Sequence, residues 1–260
     1  MSAPARRGVA VVTGASRGIG LAIARRLVDD GYRVALVARR AAELREAAED
    51  LAREGRTALP LAVDLSDLEE VFALPGRVRG ALGPAEVLVN NAGLAESAPI
   101  HRSSDELWDR TMDLNLRAPF LLARLFGREM AERGYGRIVN LASTASHKGY
   151  PYTAVYTASK HALLGATRAQ AREFAGTGVT VNAVCPGYVD TPMTARTIAN
   201  IIEKTGLDRE AAIRVLAADS PLGRLVSPEE VARAVASFLA PDTEAVTGQA
   251  LGVSGGAVEG

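Results

Sequence analysis

Short apolar runs alternate along this chain with longer stretches in which apolar residues recur every three or four positions. The runs lie at 9–12, 34–37, 59–63, 87–89, 137–141, 179–184 and 250–253, and valine, leucine, isoleucine and alanine dominate them. Runs this short, with little polar alternation, predict strands covered on both faces. The amphipathic stretches between them predict helices that carry the chain back for another parallel strand. The expected fold class is α/β, a doubly wound and mostly parallel sheet with right-handed crossovers. Two places disturb the rhythm. Pro75-Gly76 falls inside the expected third helix, where proline removes a donor and crowds the preceding turn, so a kink or break is expected there. Residues 191–219 form a long insertion whose Ile198, Ile201, Ile202, Ile213 and Leu216 predict short helices with an apolar underside, a helical substrate lid.

Composition narrows this picture. With 260 residues, 48% of them apolar, and no linker dividing them, the chain is expected to form one domain over residues 1–260. Thirty basic side chains cancel thirty acidic ones, so bulk charge gives no reason to expect nucleic acid or an anionic membrane as partner. Cys185 is the lone cysteine, which excludes an internal disulfide and a cysteine metal cluster; no metal is expected. The opening residues, with Pro4, Arg6 and Arg7, lack the apolar stretch of a secretion signal, and no run is long enough to span a bilayer. A cytoplasmic protein is expected.

The chemistry begins where the first run ends. Residues 9–12 lead directly into Thr13-Gly14-Ala15-Ser16-Arg17-Gly18-Ile19-Gly20, and a helix follows with Leu21, Ala24, Leu27 and Val28 on one side. Strand, glycine-rich turn and helix in that order form a dinucleotide cradle of Rossmann type: glycine allows the tight turn and close backbone approach, and the helix N-terminus faces the pyrophosphate. The spacing is G-x-x-x-G-x-G, without the Lys-Ser/Thr ending of a nucleoside-triphosphate loop. The second run ends at Arg39-Arg40, with no Asp or Glu to receive a ribose 2′-hydroxyl. Arg39, joined by Arg17, would instead meet a 2′-phosphate, so NADPH/NADP is the favoured cofactor and NAD the alternative.

Further on, Tyr156 and Lys160 are i and i+4 neighbours if residues 154–175 form a helix, and Ser143 precedes that tyrosine by thirteen residues. A cation so placed would stabilise a phenolate and bring a group with an ordinary pKa of ~10 into use near neutral pH. An ordinary tyrosine and lysine on a surface helix is the competing reading, and the motif alone is too short to defeat it.

Taken in order, Thr13 to Gly20, Asp64, Asn90-Asn91-Ala92-Gly93, Asn115, Ser143, Tyr156 with Lys160, and Pro186-Gly187 with Thr191 resemble the short-chain dehydrogenase/reductase family over nearly the whole chain. Within it, Val181-Asn182-Ala183-Val184-Cys185-Pro186-Gly187 is similar to reductases of acyl thioesters, aromatic-polyketide ketoreductases included. Those carry proline-glycine-glycine after the position of Gly93, where this chain has Leu94-Ala95-Glu96. The resemblance implies that Tyr156 is general acid, Ser143 orients the reacting oxygen, Lys160 anchors the ribose, and Asn115 holds a water linking Lys160 to solvent. It implies cofactor contacts from Gly14, Ser16, Arg17, Gly18, Ile19, Gly20 and Arg39, with Asp64 and Leu65 at the adenine edge. Asn90, Asn91, Ala92 and Gly93 are expected on the ribose side, and Pro186, Gly187, Val189 and Thr191 beside the nicotinamide. Asp64 has a second reading, as the cap of a helix starting near Ser66.

The expected activity is NADPH-dependent reduction of a ketone, foremost a 3-oxoacyl thioester on coenzyme A or acyl carrier protein. The alternatives are an NAD(P)-dependent dehydrogenase oxidising a secondary alcohol or 3-hydroxyacyl-CoA, and a cofactor-binding scaffold without turnover. Leu94 to Ala98, Thr144 to Tyr152 and the insertion would wall the substrate, with His147, Lys148, Tyr150 and Tyr152 making the second wall polar and aromatic and Lys148 or Arg196 drawing a phosphorylated carrier or carboxylate. The resemblance also implies a homotetramer.

Overall fold

Each apolar run becomes a strand: β1 (Val9–Thr13), β2 (Arg33–Ala38), β3 (Ala58–Ala62), β4 (Ala85–Asn90), β5 (Gly136–Leu141), β6 (Val179–Pro186) and β7 (Ala250–Val253). The computed structural model describes residues 8–52, 56–240 and 242–258, so the N-terminal stretch with Pro4, Arg6 and Arg7 lies outside the described residues. All seven strands are parallel, in the order β3-β2-β1-β4-β5-β6-β7. Val12 sits between Leu36 and Val89, and Val139 between Val89 and Asn182, so the valine runs line up across the middle of the sheet. Pro60 is accommodated because β3 is an edge strand, where one side of the ladder needs no donor.

The helices are α1 (Gly18–Asp29), α2 (Ala41–Leu51), α3 (Leu68–Leu82), α4 (Asp105–Met112), α5 (Ala118–Glu132), α6 (Ala154–Glu173), α7 (Pro192–Thr205), α8 (Arg209–Ala217) and α9 (Pro228–Ser237). Ile23, Leu27, Leu44, Val231 and Val235 from α1, α2 and α9 pack on one face of the sheet. Leu74, Val78, Leu122, Phe126 and Met130 from α3 and α5 pack on the other. Each such side chain contributes ~1.5–3 kcal/mol when fully buried, which is why both faces must be covered and the strands carry so few polar residues.

The break expected at Pro75-Gly76 is absent: α3 runs unbroken through Pro75. The ring lies on the buried face beside Leu74 and Val78, and that packing offsets the lost backbone donor. Nor does Asp64 cap this helix. Asp67 does, accepting from the backbone N–H of Glu69 and Glu70, while Asp64 closes a local turn by accepting from the Ser66 N–H and hydroxyl at 2.9 and 2.7 Å.

The insertion folds as its isoleucines predict. Ile198, Ala212 and Leu216 are buried together between α7 and α8, with Ile201, Ile202, Ile213 and Leu225 against them. Gly206, at φ +72°, closes α7 in the left-handed conformation that lets α8 fold back on it. This cluster is separate from the two that cover the sheet. Among the described residues no helix is long and apolar enough to cross a membrane.

Candidate active site

β1 is flanked by β2 and β4, and the crossovers leave it toward opposite faces, so a crevice opens beyond the carboxyl ends of β1 and β4. The glycine turn lies there. Gly14 and Gly18 have φ of +66° and +57°, values that side chains with a Cβ rarely adopt. A Cβ on Gly20 would strike the Gly14 carbonyl and the Asn91 amide. Arg17 caps α1 in extended conformation without a side-chain cap bond, which leaves the first N–H groups of the helix open toward an anion. A Cβ on Gly18 would come within 3.4 Å of Thr191, so the insertion begins directly over the turn. Ser16 and Ile19 are partly exposed beside it.

Four polar hydrogen bonds hold the crevice floor. The Thr13 hydroxyl accepts from the N–H of Asn91 and Ala92 at 2.9 and 3.0 Å, and Asn91 Nδ2 donates to the carbonyls of Thr13 and Gly14 at 2.8 and 3.3 Å. Asn91 therefore ties β4 to the glycine turn with its side chain. Asn90 is buried, its side chain donating to Asn140 Oδ1 at 2.9 Å and to the Pro119 carbonyl, so the side chain lies within the sheet and only backbone is left toward the ribose side. Two other expected contacts also turn inward, since Leu65 and Val189 place their side chains in the apolar clusters and leave only backbone toward the crevice. Pro186 ends β6, and Gly187 packs so close to Ser254 that a Cβ would stand 3.3 Å from it.

At the end of β2, Arg39 is exposed and only loosely paired, its Nη1 3.9 Å from Asp64 Oδ2. Burial would raise the Asp64 carboxyl, but the Ser66 hydrogen bonds and Arg39 outweigh it and hold the group below its ordinary value. Glu43, absent from the sequence reading, lies within the field of Arg17 and is held low chiefly by its hydrogen bond from Arg40.

The groups expected to react gather at the ends of β5 and β6. Ser143 caps the short turn Thr144–Ser146, its hydroxyl accepting from the Ala145 N–H at 3.1 Å. α6 carries Tyr156 and Lys160 one turn apart, and Lys160 Nζ stands 5.8 Å from the phenol ring centroid. That ammonium is buried and donates to the Leu141 carbonyl at 2.7 Å. Burial lowers Lys160 to about 8. Tyr156 moves the other way: burial pushes its phenol above the ordinary 10, and the neighbouring Ser143 hydroxyl only partly offsets the rise. The expectation that Lys160 would bring Tyr156 down toward neutrality is thus not met by the protein alone, because the ammonium is turned to Leu141 and desolvation dominates the phenol.

Asn115 lies in a π-helical turn, Asp113–Arg117, between α4 and α5. Such wide turns commonly mark functional positions. Its Oδ1 accepts from the Leu94 N–H at 2.8 Å, and Nδ2 donates to the Leu94 carbonyl and the Ser159 hydroxyl at 2.9 and 3.0 Å. Both amide hydrogens are engaged, so Asn115 pins the loop after Gly93 to α6, and its side chain leaves a water only the second lone pair of Oδ1. A Cβ on Gly93 would lie 3.3 Å from that oxygen and 3.7 Å from Lys160 Nζ, which shows how closely the three converge.

Beyond the reacting groups lies a cleft lined by Tyr150, Gly187, Tyr188, Leu216, Asp219 and Arg224. The two loops expected to wall the substrate, 94–98 and 144–152, meet where the Ala98 N–H donates to the Tyr152 carbonyl at 2.8 Å. His147 was expected in the wall but turns inward, with Nε2 3.4 Å from Cys185 Sγ. Arg196 is exposed on α7. Tyr188 and the pairing of Lys148 with Asp219 carry no local sequence signal, since their partners come from distant elements. Among the described residues no group of His, Cys, Asp and Glu is placed to hold a metal.

Comparison with known proteins gives the family. Residues 8–201 match the family described as short chain dehydrogenase. A Streptomyces coelicolor protein named as a ketoacyl reductase is 44% identical over 250 residues, spanning 95% of this chain and 96% of its own. The cis-4-hydroxycyclohexanecarboxylate dehydrogenase of Sinomonas cyclohexanicum is 39% identical and is covered to 95%, as is this chain. Among solved structures, an actinorhodin polyketide ketoreductase with NADPH superposes with a TM-score of 0.93 at 42% identity, over 99% of both chains.

Proposed function

The chain belongs to the short chain dehydrogenase family, and from that premise we propose that it is an NADPH-dependent ketoreductase acting on a 3-oxoacyl thioester carried by coenzyme A or acyl carrier protein. The observation that carries the proposal is the meeting of Ser143, Tyr156 and Lys160 at the carboxyl ends of β5 and β6. A phenol pushed above its ordinary value keeps its proton at neutral pH, the state required of an acid that protonates a developing alkoxide. Ser143, whose hydroxyl lies close enough to lower that phenol, would orient the same oxygen. Lys160, buried and fixed by Leu141, would place its charge beneath the phenol and against the ribose.

The residues present fit a dinucleotide: the glycine turn has no room for a Cβ at Gly14 or Gly20, and the first turn of α1 is open above it. Gly14, Ser16, Gly18 and Ile19 would hold the pyrophosphate side, Arg39 and Arg17 the 2′-phosphate, and Thr191 with the Pro186-Gly187 backbone the nicotinamide side. When bound, the cofactor supplies the hydride. Residues 191–219 would close over the cleft as a lid and exclude water. The assembly we propose is a homotetramer, to be checked by light scattering.

The experiment is nicotinamide absorbance with acetoacetyl-CoA, a neutral acetoacetyl thioester and simple ketones, NADPH against NADH. Consumption of NADPH that depends on the carbonyl compound is expected. Tight NADPH binding without turnover on any of them would sink the enzyme reading in favour of a scaffold. The relative named for oxidising a hydroxylated acid favours a second reading, the same centre run toward oxidation. NADP with cyclic and acyclic hydroxy acids in the same assay separates the two directions.

A further inference from the structure

The Lys148–Asp219 pair bridges the cleft. Lys148 follows the short turn capped by Ser143, and Asp219 follows α8 at the far end of the insertion; their charged atoms are 3.0 Å apart. Lys148 Nζ also donates to the Ala257 carbonyl at 3.3 Å and lies 5.1 Å from the ring of Tyr150. Tyr150 in turn donates to Thr144 Oγ1 at 2.8 Å, next in sequence to Ser143. Lys148 thus contacts three residues that line the cleft, Asp219, Ala257 and Tyr150, and Tyr150 is bonded to the neighbour of Ser143. The narrow cleft is bordered by Tyr150, Tyr188 and Leu216, two aromatic rings and one apolar side chain.

The other cation on the cleft is not free for an anion. Arg224 lines it, but its two terminal nitrogens grip both oxygens of Glu230 at 2.8 and 2.9 Å. Lys148 instead holds one carboxylate oxygen of a side chain that is 60% exposed. An exposed pair of this kind is weak, and Asp219 would lose little on turning into solvent.

Resting on the ketoreductase reading above, we propose that Lys148 is the binding residue for a carboxylate carried by the substrate itself, and that Asp219 occupies its place until the substrate arrives. The substrate class is then a keto acid, or in the reverse direction a hydroxy acid, with an apolar body between carbonyl and carboxylate. A carrier phosphate offers related anion chemistry. Lys148 lies five residues from Ser143, a separation of at most ~18 Å even for extended chain that the 3₁₀ turn shortens, so we take the substrate's own body as the source and make the carrier phosphate an outcome of the test.

The test compares a cyclic keto acid, its methyl ester and acetoacetyl-CoA on the parent, Lys148→Met and Asp219→Asn, with calorimetric binding of the keto acid to each NADPH complex. The parent should favour acid over ester, chiefly through KM. Lys148→Met should lower that ratio by about tenfold or more, the size expected for one charged hydrogen bond, and should weaken calorimetric binding of the acid in proportion. Asp219→Asn, which removes the competing carboxylate, should raise the ratio and the acid's affinity several-fold. Equal losses on acid and ester in Lys148→Met would overturn the site and leave the ketoreductase reading standing. A loss confined to acetoacetyl-CoA would overturn the substrate carboxylate in favour of a carrier phosphate. No turnover of any ketone by the parent would overturn both.

Discussion

The floor of the site and the cover over it are held by different physics. On the floor, polar groups are held by hydrogen bonds in or beside the parallel sheet: Lys160 to Leu141, Asn115 to Leu94 and Ser159, Asn91 to Thr13 and Gly14. The cover, α7 with α8, has its own small apolar centre around Ile198 and Leu216. Its later end meets the rest of the chain through the Lys148–Asp219 pair, and the strip just beyond it is pinned where Ser220 and Leu222 both donate to the Gly255 carbonyl. Groups that must stay within fractions of an ångström are thus built into one core, and those that shape the substrate's space into another. The two should be separable by mutation.

The sharpest separation is Tyr156→Phe. It removes one hydroxyl and little cofactor contact, so kcat should fall ~10²- to 10⁴-fold while NADPH affinity stays close to that of the parent. Steady-state rates beside a fluorescence titration would show it, and near-normal kcat on every accepted substrate would remove Tyr156 from the chemistry.

Leu88→Ala and Leu216→Ala test the two cores directly. Leu88 is fully buried in β4, and its truncation should cost about 2–5 kcal/mol of global stability by denaturant unfolding. Leu216→Ala should cost much less globally but speed hydrogen exchange across 192–217 and raise KM more than it lowers kcat. In the parent, exchange over the same stretch should slow when NADPH is added. Similar global losses from the two truncations would mean that cover and floor unfold as one.

A third test turns on charge. The unfolded chain holds the Lys160 proton up to about pH 10.5, the folded chain only to about 8. Between those values the unfolded state binds more protons, so stability should climb with pH, by on the order of 3 kcal/mol across the window. Lys160→Met should flatten the climb and abolish most turnover, which would show the floor holding a costly charge for the sake of function. An equally steep profile in the variant would assign the climb to other groups.

The smallest effect concerns the cofactor's far end. Arg39→Asp should erase or reverse a preference for NADPH over NADH that is roughly ten- to a hundredfold in dissociation constant. Equal constants in the parent would refute the arginine argument.

Local periodicity explains what the sequence made readable. Apolar runs and glycine spacing act over a few residues, so the strands, the cradle, the α6 pairing of Tyr156 with Lys160 and the helices of the insertion could all be read before any coordinates. What depends on tertiary surroundings could not. Pro75 continues its helix because its ring is buried, Asp67 outcompetes Asp64 as the cap, and Asn90 faces Asn140 because two strands lie side by side. The π turn at Asn115 and the partnership of Lys148 with Asp219, 71 residues apart, leave no pattern that a linear reading detects.

The lone sulfur offers a clock for these motions. Cys185 is fully buried, in contact with His147, and burial holds its thiol up at about 11. Reagents attack the thiolate, so in the closed protein the atom is nearly inert, and there is no second cysteine to confuse the reading. Each molecule that opens far enough to expose the end of β6 acquires one adduct and keeps it. The rate at which a single mass increment accumulates would therefore time excursions of the floor.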